Sequence, residues 1–344
     1  MFSLRIAKQP PLENRFPQEG TLEEKLRFCL NYAILAPSGH NTQPWLFKIK
    51  SDRLRVYADR TRGLPVVDPE DRALTISCGA ALFHLRVAIN YFGYAAEVET
   101  FPETGNSDLL AIIHLGDLTE PTSEMSSLFH AIPQRRTNRK PFENRAIPVP
   151  AQLMLKEAAE SEGSSLNIVN GEDTKNHIAE LVAAGDRIQA ADTHFRRELA
   201  AWLHANRSRS RDGIPGYSFG FGDMISYAGP LMIRTFDWGK GQAAKDRQLA
   251  QGSPALAVLE TDADTPMAWL SAGQALARVL LTATTERISA SFLNQPIEVN
   301  ELRPSLGELI SSKGFPQVLL RFGYGPGVLP TPRRRVEDVE IVEN

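Results

Sequence analysis

Apolar positions along the chain recur at two spacings, one of three to four residues and one of two, and the changes of spacing mark its elements. "TLEEKLRFCLNYAILA", residues 21–36, sets Leu26, Leu30, Ala33 and Ile34 on one helical face behind a capping box from Thr21 to Glu24. Strands are predicted at 45–50 and 54–58, then a long helix after Asp68–Pro69 running to about Tyr94. Strands at 95–100 and 109–115 follow, the second bounded by Gly116. The proline-bearing stretch 116–148 predicts a crossing segment with a short helix near 125–131. A second set comes next: helix 151–161, strand 165–169 and a long amphipathic helix over 173–205. After a break come strand 255–260, helix 264–287, a short strand near 289–293, helix 304–311 and strand 316–322. This interleaving predicts an α+β or α/β fold of two similar units.

The two units can be compared directly. "TISCGAALFHLRVA" at 75–88 lies against "WLSAGQALARVLLT" at 269–282, pairing Ser77 with Ser271, Gly79 with Gly273, Ala81 with Ala275 and Leu82 with Leu276 at one offset (271 − 77 = 194). Pro102 and Pro296 share that offset. The small residues are read as a tightly packed helix face, and the match as an internal duplication.

Composition narrows the class. The chain has 344 residues, 42% apolar and 23% charged, with a formal net charge of −3, as expected of a globular protein with a sizeable core. No broad basic field favours nucleic acid or an anionic membrane. Cys29 and Cys78 both lie in apolar helical stretches and are read as buried thiols of a reducing compartment. The N-terminal "MFSLRIAKQPPLENRFPQ" lacks a signal-like apolar core, and no run approaches a membrane span, so the expected location is the cytoplasm. The seven histidines show no metal spacing, and no metal site is expected.

Polar chemistry concentrates in two places. "APSGHNTQPWLF", residues 36–47, is a loop punctuated by Pro37, Gly39 and Pro44, yet Ser38, His40, Asn41, Thr42 and Gln43 supply more hydrogen-bonding groups than a turn needs. It is either a polar surface connection or the rim of a site for a large polar ring. "RRTNRKPF" at 135–142 is the second.

These segments resemble the FMN-dependent nitroreductase family. "APSGHNTQPW" is similar to its Pro-Ser-x-x-Asn-x-Gln-Pro-Trp segment, and "RRTNRKPF" to its Arg-Arg-Ser-x-Arg signature, with Thr137 for Ser and one extra residue before Phe142. "GFPQVLLRFGYGPGVLPTPRRRVEDV" resembles the C-terminal strand, Gly-Tyr turn and basic tail. The likeness covers most of residues 20–340 and is nearest to the fused, double-length, Acg-like subfamily. It implies a three-layer α/β/α fold, duplicated within one chain as a pseudo-dimer: a first half over 1–116 and a second over 117–344. Family dimers build each FMN site from both subunits. Here the loop lies in the first half, while "RRTNR" opens and "PRRR" closes the second, and "AAESEGSSLN" stands where a second loop would fall. One complete site, holding one flavin, is therefore expected, in a chain that needs no partner subunit.

The resemblance also implies roles. Arg135, Arg136 and Thr137 would hold the phosphate, with Arg333 and Arg334 closing from the C-terminus. Arg139 would lean toward the ribityl chain and the N1–O2 edge, where its charge stabilises reduced flavin. Asn41 is the leading loop residue, since an amide both donates and accepts. Pro37, Ser38 and Gly39 would pack or bond at the ring, and Gln43 either bonds the ring or pins the turn. His40 is read as structural. Asn294 and Gln295, in "NQPIE", match the segment whose backbone approaches flavin N5, although "TTERIS" before it lacks the usual Gly-Leu.

"GYGPG" at 323–327 leads into prolines and so fails as a dinucleotide fingerprint. Residues 206–253 mix glycines with Tyr217, Phe219, Phe221, Tyr227, Phe236 and Trp238, and are read as a lid insertion over the flavin. Two functions follow from the resemblance. One is an oxidoreductase that passes electrons from NADH or NADPH through FMN to a nitroaromatic, a quinone or a similar small molecule by ping-pong turnover. The other is a flavin-sequestering protein whose lid blocks reduction.

Overall fold

Two antiparallel four-stranded sheets face each other across a pair of crossing helices in the computed structural model, which describes residues 12–169 and 171–342. The first half opens with α1 (Leu22–Ala33), where the Thr21 hydroxyl accepts from the Glu24 N–H and Glu24 reaches back to the Thr21 N–H. β1 (Trp45–Lys50) and β2 (Arg53–Ala58) form a hairpin, α2 (Arg72–Tyr91) crosses the sheet, and β3 (Tyr94–Thr100) and β4 (Leu109–Leu118) complete the order β1-β2-β4-β3. α3 (Ser123–Ala131) leads to the second half.

There α4 (Val149–Glu160) and β5 (Ser165–Val169) precede an excursion through α5 (Glu172–Ala191), α6 (Thr193–Ala201), the parallel two-residue strands β6 (Leu203–His204) and β7 (Ile214–Pro215), α7 (Asp223–Thr235) and α8 (Gly239–Gln251). The chain returns as β8 (Ala255–Thr261), α9 (Pro266–Thr285), β9 (Ser289–Phe292), α10 (Gln295–Glu298), α11 (Arg303–Leu309) and β10 (Phe315–Gly323). The second sheet has the order β5-β8-β10-β9. Replacing β1, β2, α2, β3 and β4 by β5, β8, α9, β9 and β10 converts one half into the other, so the duplication read from the helices extends to sheet topology.

The centre of that symmetry is a glycine contact. A Cβ on Gly79 would strike the Leu270 carbonyl, and a Cβ on Gly273 would strike the Ile76 carbonyl. Both partners obey the same offset (270 − 76 = 273 − 79 = 194), so α2 and α9 cross with reciprocal backbone contacts that no larger residue permits. The expected small-residue face is thus a packing face. Around it, β8 is buried along its whole length. Ala255, Ala257 and Leu259 point to the cluster with α4 and α9, while Leu256 and Val258 point to the cluster with α5, α10 and α11. This period-two division explains a strand with no polar face.

Several expectations need correction. The helix expected over 173–205 is two helices, because Asp192 leaves helical geometry (φ −74°, ψ 119°) and its carboxylate accepts from the His194 N–H to cap α6. The insertion 206–253 contains α7, which accommodates Pro230, and α8, neither of which was expected from its glycine-rich text. Arg72–Tyr91 is long and apolar enough to cross a membrane by length and composition, contrary to the reading of the sequence, and most of it is buried in the core. Cys29 and Cys78 are free and buried, and burial raises both thiol pKa values. The N-terminal leader reading falls largely on residues 1–11, outside the described residues.

One crossing between the halves and one contact within the second half position the site. The C-terminal tail returns to β1, where the Phe47 N–H donates to the Val339 carbonyl at 2.8 Å and the Ile341 N–H to the Phe47 carbonyl at 2.7 Å. The arginine segment lies along β9, where the Asn138 N–H donates to the Ala290 carbonyl at 2.9 Å.

Candidate functional site

Two cavities meet where these contacts converge. One, of about 770 Å³, is lined by Arg135, Arg136, Thr137, Tyr217 and Arg333 among others. The other, of about 670 Å³, is lined by Pro37, Ser38, Gly39, His40, Asn294 and Gln295 and by many apolar residues of α6 and α7. Arg139, Phe219 and Lys245 face both. The loop of the first half and the arginine segment of the second therefore border adjoining cavities that share these three residues.

The first cavity is an unpaired cluster of guanidinium groups. Arg135 is buried, its Nε has no partner, and its Nη2 reaches only the Leu35 carbonyl at 3.4 Å. Burial, then the charges of Arg333 and Arg136, push its pKa down to about 9. Arg333 also has an unpartnered Nε, and burial with the Arg136 charge pushes it down to about 10. Among the described residues, none of Arg135, Arg136 and Arg333 forms an ion pair with a carboxylate. Three mutually repelling cations with spare donors are suited to a dianion such as a phosphate.

The loop is strained where it meets the second cavity. His40, Asn41 and Gln43 all take left-handed backbone geometry, with φ of 47°, 56° and 54°. Such clustering is costly and marks a segment held by its surroundings. The His40 Nε2 is buried without a partner, and burial, then Arg139, push its pKa down to about 4, so the ring is neutral at pH 7.

Three of the expected contact residues do not face either cavity. The Asn41 amide nitrogen donates to the Gly213 carbonyl at 2.9 Å and the Pro332 carbonyl at 3.1 Å, and its oxygen accepts from Arg333 at 2.8 Å. The Gln43 amide donates to the Arg211 carbonyl at 2.9 Å and accepts from the Arg334 N–H at 2.7 Å, so it pins the turn. Arg334 itself donates to the Gln43 carbonyl at 3.1 Å and pairs with Asp59 at 3.6 Å. All three fasten the loop, the insertion and the tail together. Asn294 lines the second cavity, but its Oδ1 accepts from the Leu319 N–H at 2.9 Å.

Reading the sequence missed Arg321, in the middle of β10. It is almost fully buried, donates to the carbonyls of Asn138 and Lys140 at 2.8 and 2.9 Å, and lies 4.1 Å from the Phe142 ring centre. Its Nε and Nη1 have no partner, and it lines the second cavity. Burial pushes its pKa down to about 10. The available signal was a lone arginine inside the apolar run "VLLRFG". Asp186 and Asp246, buried on the same cavity's wall, were missed too. Asp186 follows Val182 by one turn on the apolar face of α5, an expensive place for a carboxylate.

No family model matches the chain. Among curated relatives, the Mycobacterium tuberculosis protein named "Putative NAD(P)H nitroreductase Rv3131" is 31% identical over 321 residues, covering 92% of this chain and 91% of its own length. "Putative NAD(P)H nitroreductase acg" of the same organism is 25% identical over 330 residues, covering 94% and 97%. The solved FMN-dependent nitroreductase NfnB from Mycobacterium smegmatis, in complex with NADPH, is 13% identical and covers 64% of this chain and 99% of its own, with a TM-score of 0.42. That overlap is too loose to carry an assignment, which rests on the full-length sequence likeness. On that likeness the chain belongs to the NAD(P)H nitroreductase family.

Proposed function

We propose that the joined cavities hold one FMN and that the protein passes electrons from NADH or NADPH to a small-molecule acceptor such as a nitroaromatic or a quinone. The observation that carries this reading is the cluster of buried Arg135 with half-buried Arg136 and Arg333, none paired to a carboxylate among the described residues, in a cavity that adjoins the one at the 37–40 loop through Arg139. Arg135, Arg136, Thr137 and Arg333 would take the phosphate. Its charge offsets the burial and the mutual repulsion that hold Arg135 and Arg333 below the usual guanidinium range, which gives binding a driving force beyond hydrogen bonding. Arg139, half-buried and facing both cavities, would set positive charge beside the polar edge of the ring. Pro37, Ser38 and Gly39, with Asn294 and Gln295, would border the ring, and Asn41, Gln43 and Arg334 hold that border in shape.

When bound, FMN supplies reversible two-electron hydride chemistry. The protein's part is to place the donor and then the acceptor in one apolar room, within roughly 3–3.5 Å of the reacting atom, and to exclude water. Leu64, Phe195, Ile214, Phe221 and Trp238 build that room. One room used in turn implies ping-pong kinetics. We further propose the halves as 1–116 and 117–344, with 206–253 as the lid, in a monomer of the cytoplasm that does not bind nucleic acid or membrane. The purified chain is expected to be yellow, and anaerobic NADPH is expected to bleach it. A protein that remains colourless after incubation with FMN overturns the reading, and one that binds FMN but resists NADPH is a flavin store.

A further inference from the structure

The wall of the second cavity made by α5, α8 and α10 carries a chemistry that flavin binding does not use. Gln295 Nε2 donates to Asp186 Oδ1 at 3.0 Å and to Asp246 Oδ2 at 2.9 Å, so one amide straps carboxyl groups from two helices. Asp186 is 3% exposed and Asp246 7%. Among the described residues neither forms an ion pair, and the buried Asp186 Oδ2 has no hydrogen-bond partner. Both residues line the cavity.

Their surroundings differ. Asp246 receives a further hydrogen bond from Gln242 at 2.9 Å and feels the charges of Lys245, Arg321 and Arg139. Asp186 faces Asp246 and Glu298, with Arg187 as the cation acting on it. Two buried carboxyls in unlike fields divide their roles, one ionised and one protonated. Burial raises Asp246 as well, but Gln242, Lys245 and Arg321 oppose that rise, so of the two Asp246 is the one that keeps the charge. Burial first, then the Asp246 charge, push Asp186 up to about 8, so it holds the proton at neutral pH.

We propose that Asp186 is the acid of the reduction, donating its carboxyl proton to the acceptor held in the apolar room that it lines. This rests on the reading of the cavity given above. The electrons originate in NADH or NADPH, which leaves as the oxidised nucleotide. A quinone that gains a hydride and the Asp186 proton becomes a hydroquinone; a nitro group that gains both becomes a nitroso group and water. In each case the Asp186 O–H bond breaks, its electron pair stays on the carboxylate, and the carboxylate recovers a proton from solvent. The device matters because transfer of a hydride alone would leave an anion in a room lined with apolar side chains.

Two measurements on the full chain test it. An infrared pH titration without added flavin reads the protonated carboxyl directly. A carboxylic-acid band that persists at neutral pH and vanishes as pH rises through about 8 is expected. It should be absent from Asp186→Asn and shifted to lower pH in Asp246→Asn, where the neighbouring charge is gone. In the FMN-loaded protein, Asp186→Asn should keep the rate of reduction by NADPH, while the reaction with a quinone slows about 10²–10⁴-fold and loses its pH dependence. Absence of the band from the wild-type chain at pH 7, or wild-type quinone rates in Asp186→Asn, overturns the proposal. A wild-type chain that takes up no FMN refutes the site reading and the donor role with it, whereas bound, NADPH-reducible FMN without the band refutes the donor alone.

Discussion

Arg333 Nη1 donates to Asn41 Oδ1 at 2.8 Å, across 292 residues of chain. The Asn41 nitrogen holds Gly213 in the insertion and Pro332 in the tail, so one amide ties together three segments from distant parts of the sequence. Substituting Asn41 by Ala strands two carbonyls and leaves a buried guanidinium with one partner fewer. The expected loss is about 2–4 kcal/mol of folding stability, measured by urea denaturation. FMN affinity should fall with it although Asn41 lines neither cavity, because Arg333 loses its orientation. Wild-type affinity in a folded variant would show that the tail positions itself.

The arginine cluster predicts opposite effects on the empty and the loaded protein. Arg135 is buried beside like charge and has its pKa depressed, so Arg135→Gln removes a repulsion from the unliganded fold. Its thermal midpoint should hold or rise. The same variant loses a charge-assisted contact worth about 1.5–3 kcal/mol, a roughly 10–100-fold weaker affinity for FMN. Calorimetry with and without FMN separates the two signs, and a variant destabilised in both states would indicate that Arg135 serves packing alone.

The glycine crossing makes a prediction about coupling. Gly79→Ala or Gly273→Ala puts a methyl against the partner helix's carbonyl, and each should cost about 1–3 kcal/mol as the helices separate. Once α2 and α9 have moved apart, the second methyl meets space already opened, so the double variant should lose less than the sum. Additive losses in a double-mutant cycle would mean that the two contacts relax independently.

What the sequence could convey here followed the range of the interactions. The Thr21–Glu24 capping box and the Ser-x-Gly-x-Ala-Leu match are local patterns, and both reappear in three dimensions. The loop and the arginine segment were legible as chemistry, and the chain does bring them to one region. The jobs of individual residues were not legible. Asn41 and Gln43 have side chains suited to a flavin edge, yet the carbonyls of Gly213, Pro332 and Arg211, brought by an insertion and a tail, occupy them first. Arg321 and Asp186 were hidden because each sits in an apolar pattern that signals only burial. Asp192 ends α5 through one side-chain bond, which a periodicity window spanning both helices averages away.

Acid should destabilise the fold through His84. Its Nδ1 faces the Tyr32 carbonyl at 3.3 Å, its Nε2 has no partner, and burial, then the Arg135 charge, push its pKa from 6.5 down to about 3. The unfolded chain takes up this proton near pH 6.5 and the folded one resists until about 3. The stability is therefore complete above pH 6.5 and is lost progressively as pH falls toward 3. His84→Gln removes that linkage, and its thermal midpoint should fall less steeply between pH 6.5 and 4, by a difference on the order of 1–3 kcal/mol. Parallel profiles in the two proteins would assign the acid limb to carboxylates.

Phe219 stands between the two cavities. Arg139 lies 5.9 Å from its ring centre, Phe221 stacks on it at 5.9 Å, and the segment is tied down by the Tyr217 hydroxyl, which donates to the Pro330 carbonyl at 2.6 Å. The Arg62–Asp212 ion pair holds the insertion to the first half. Phe219→Ala removes a ring that lines both cavities but leaves Arg135, Arg136 and Arg333 in place, so the phosphate contacts should persist while the room widens. A wall worth about 1–3 kcal/mol against a bulky acceptor corresponds to roughly a 10–200-fold gain in kcat/KM for a polycyclic quinone over a monocyclic one. The gain should appear as a change in the ratio between acceptors, since every acceptor meets the same reduced protein. An unchanged ratio would show that Tyr217 and the 327–331 segment, not the Phe219 ring, limit what enters.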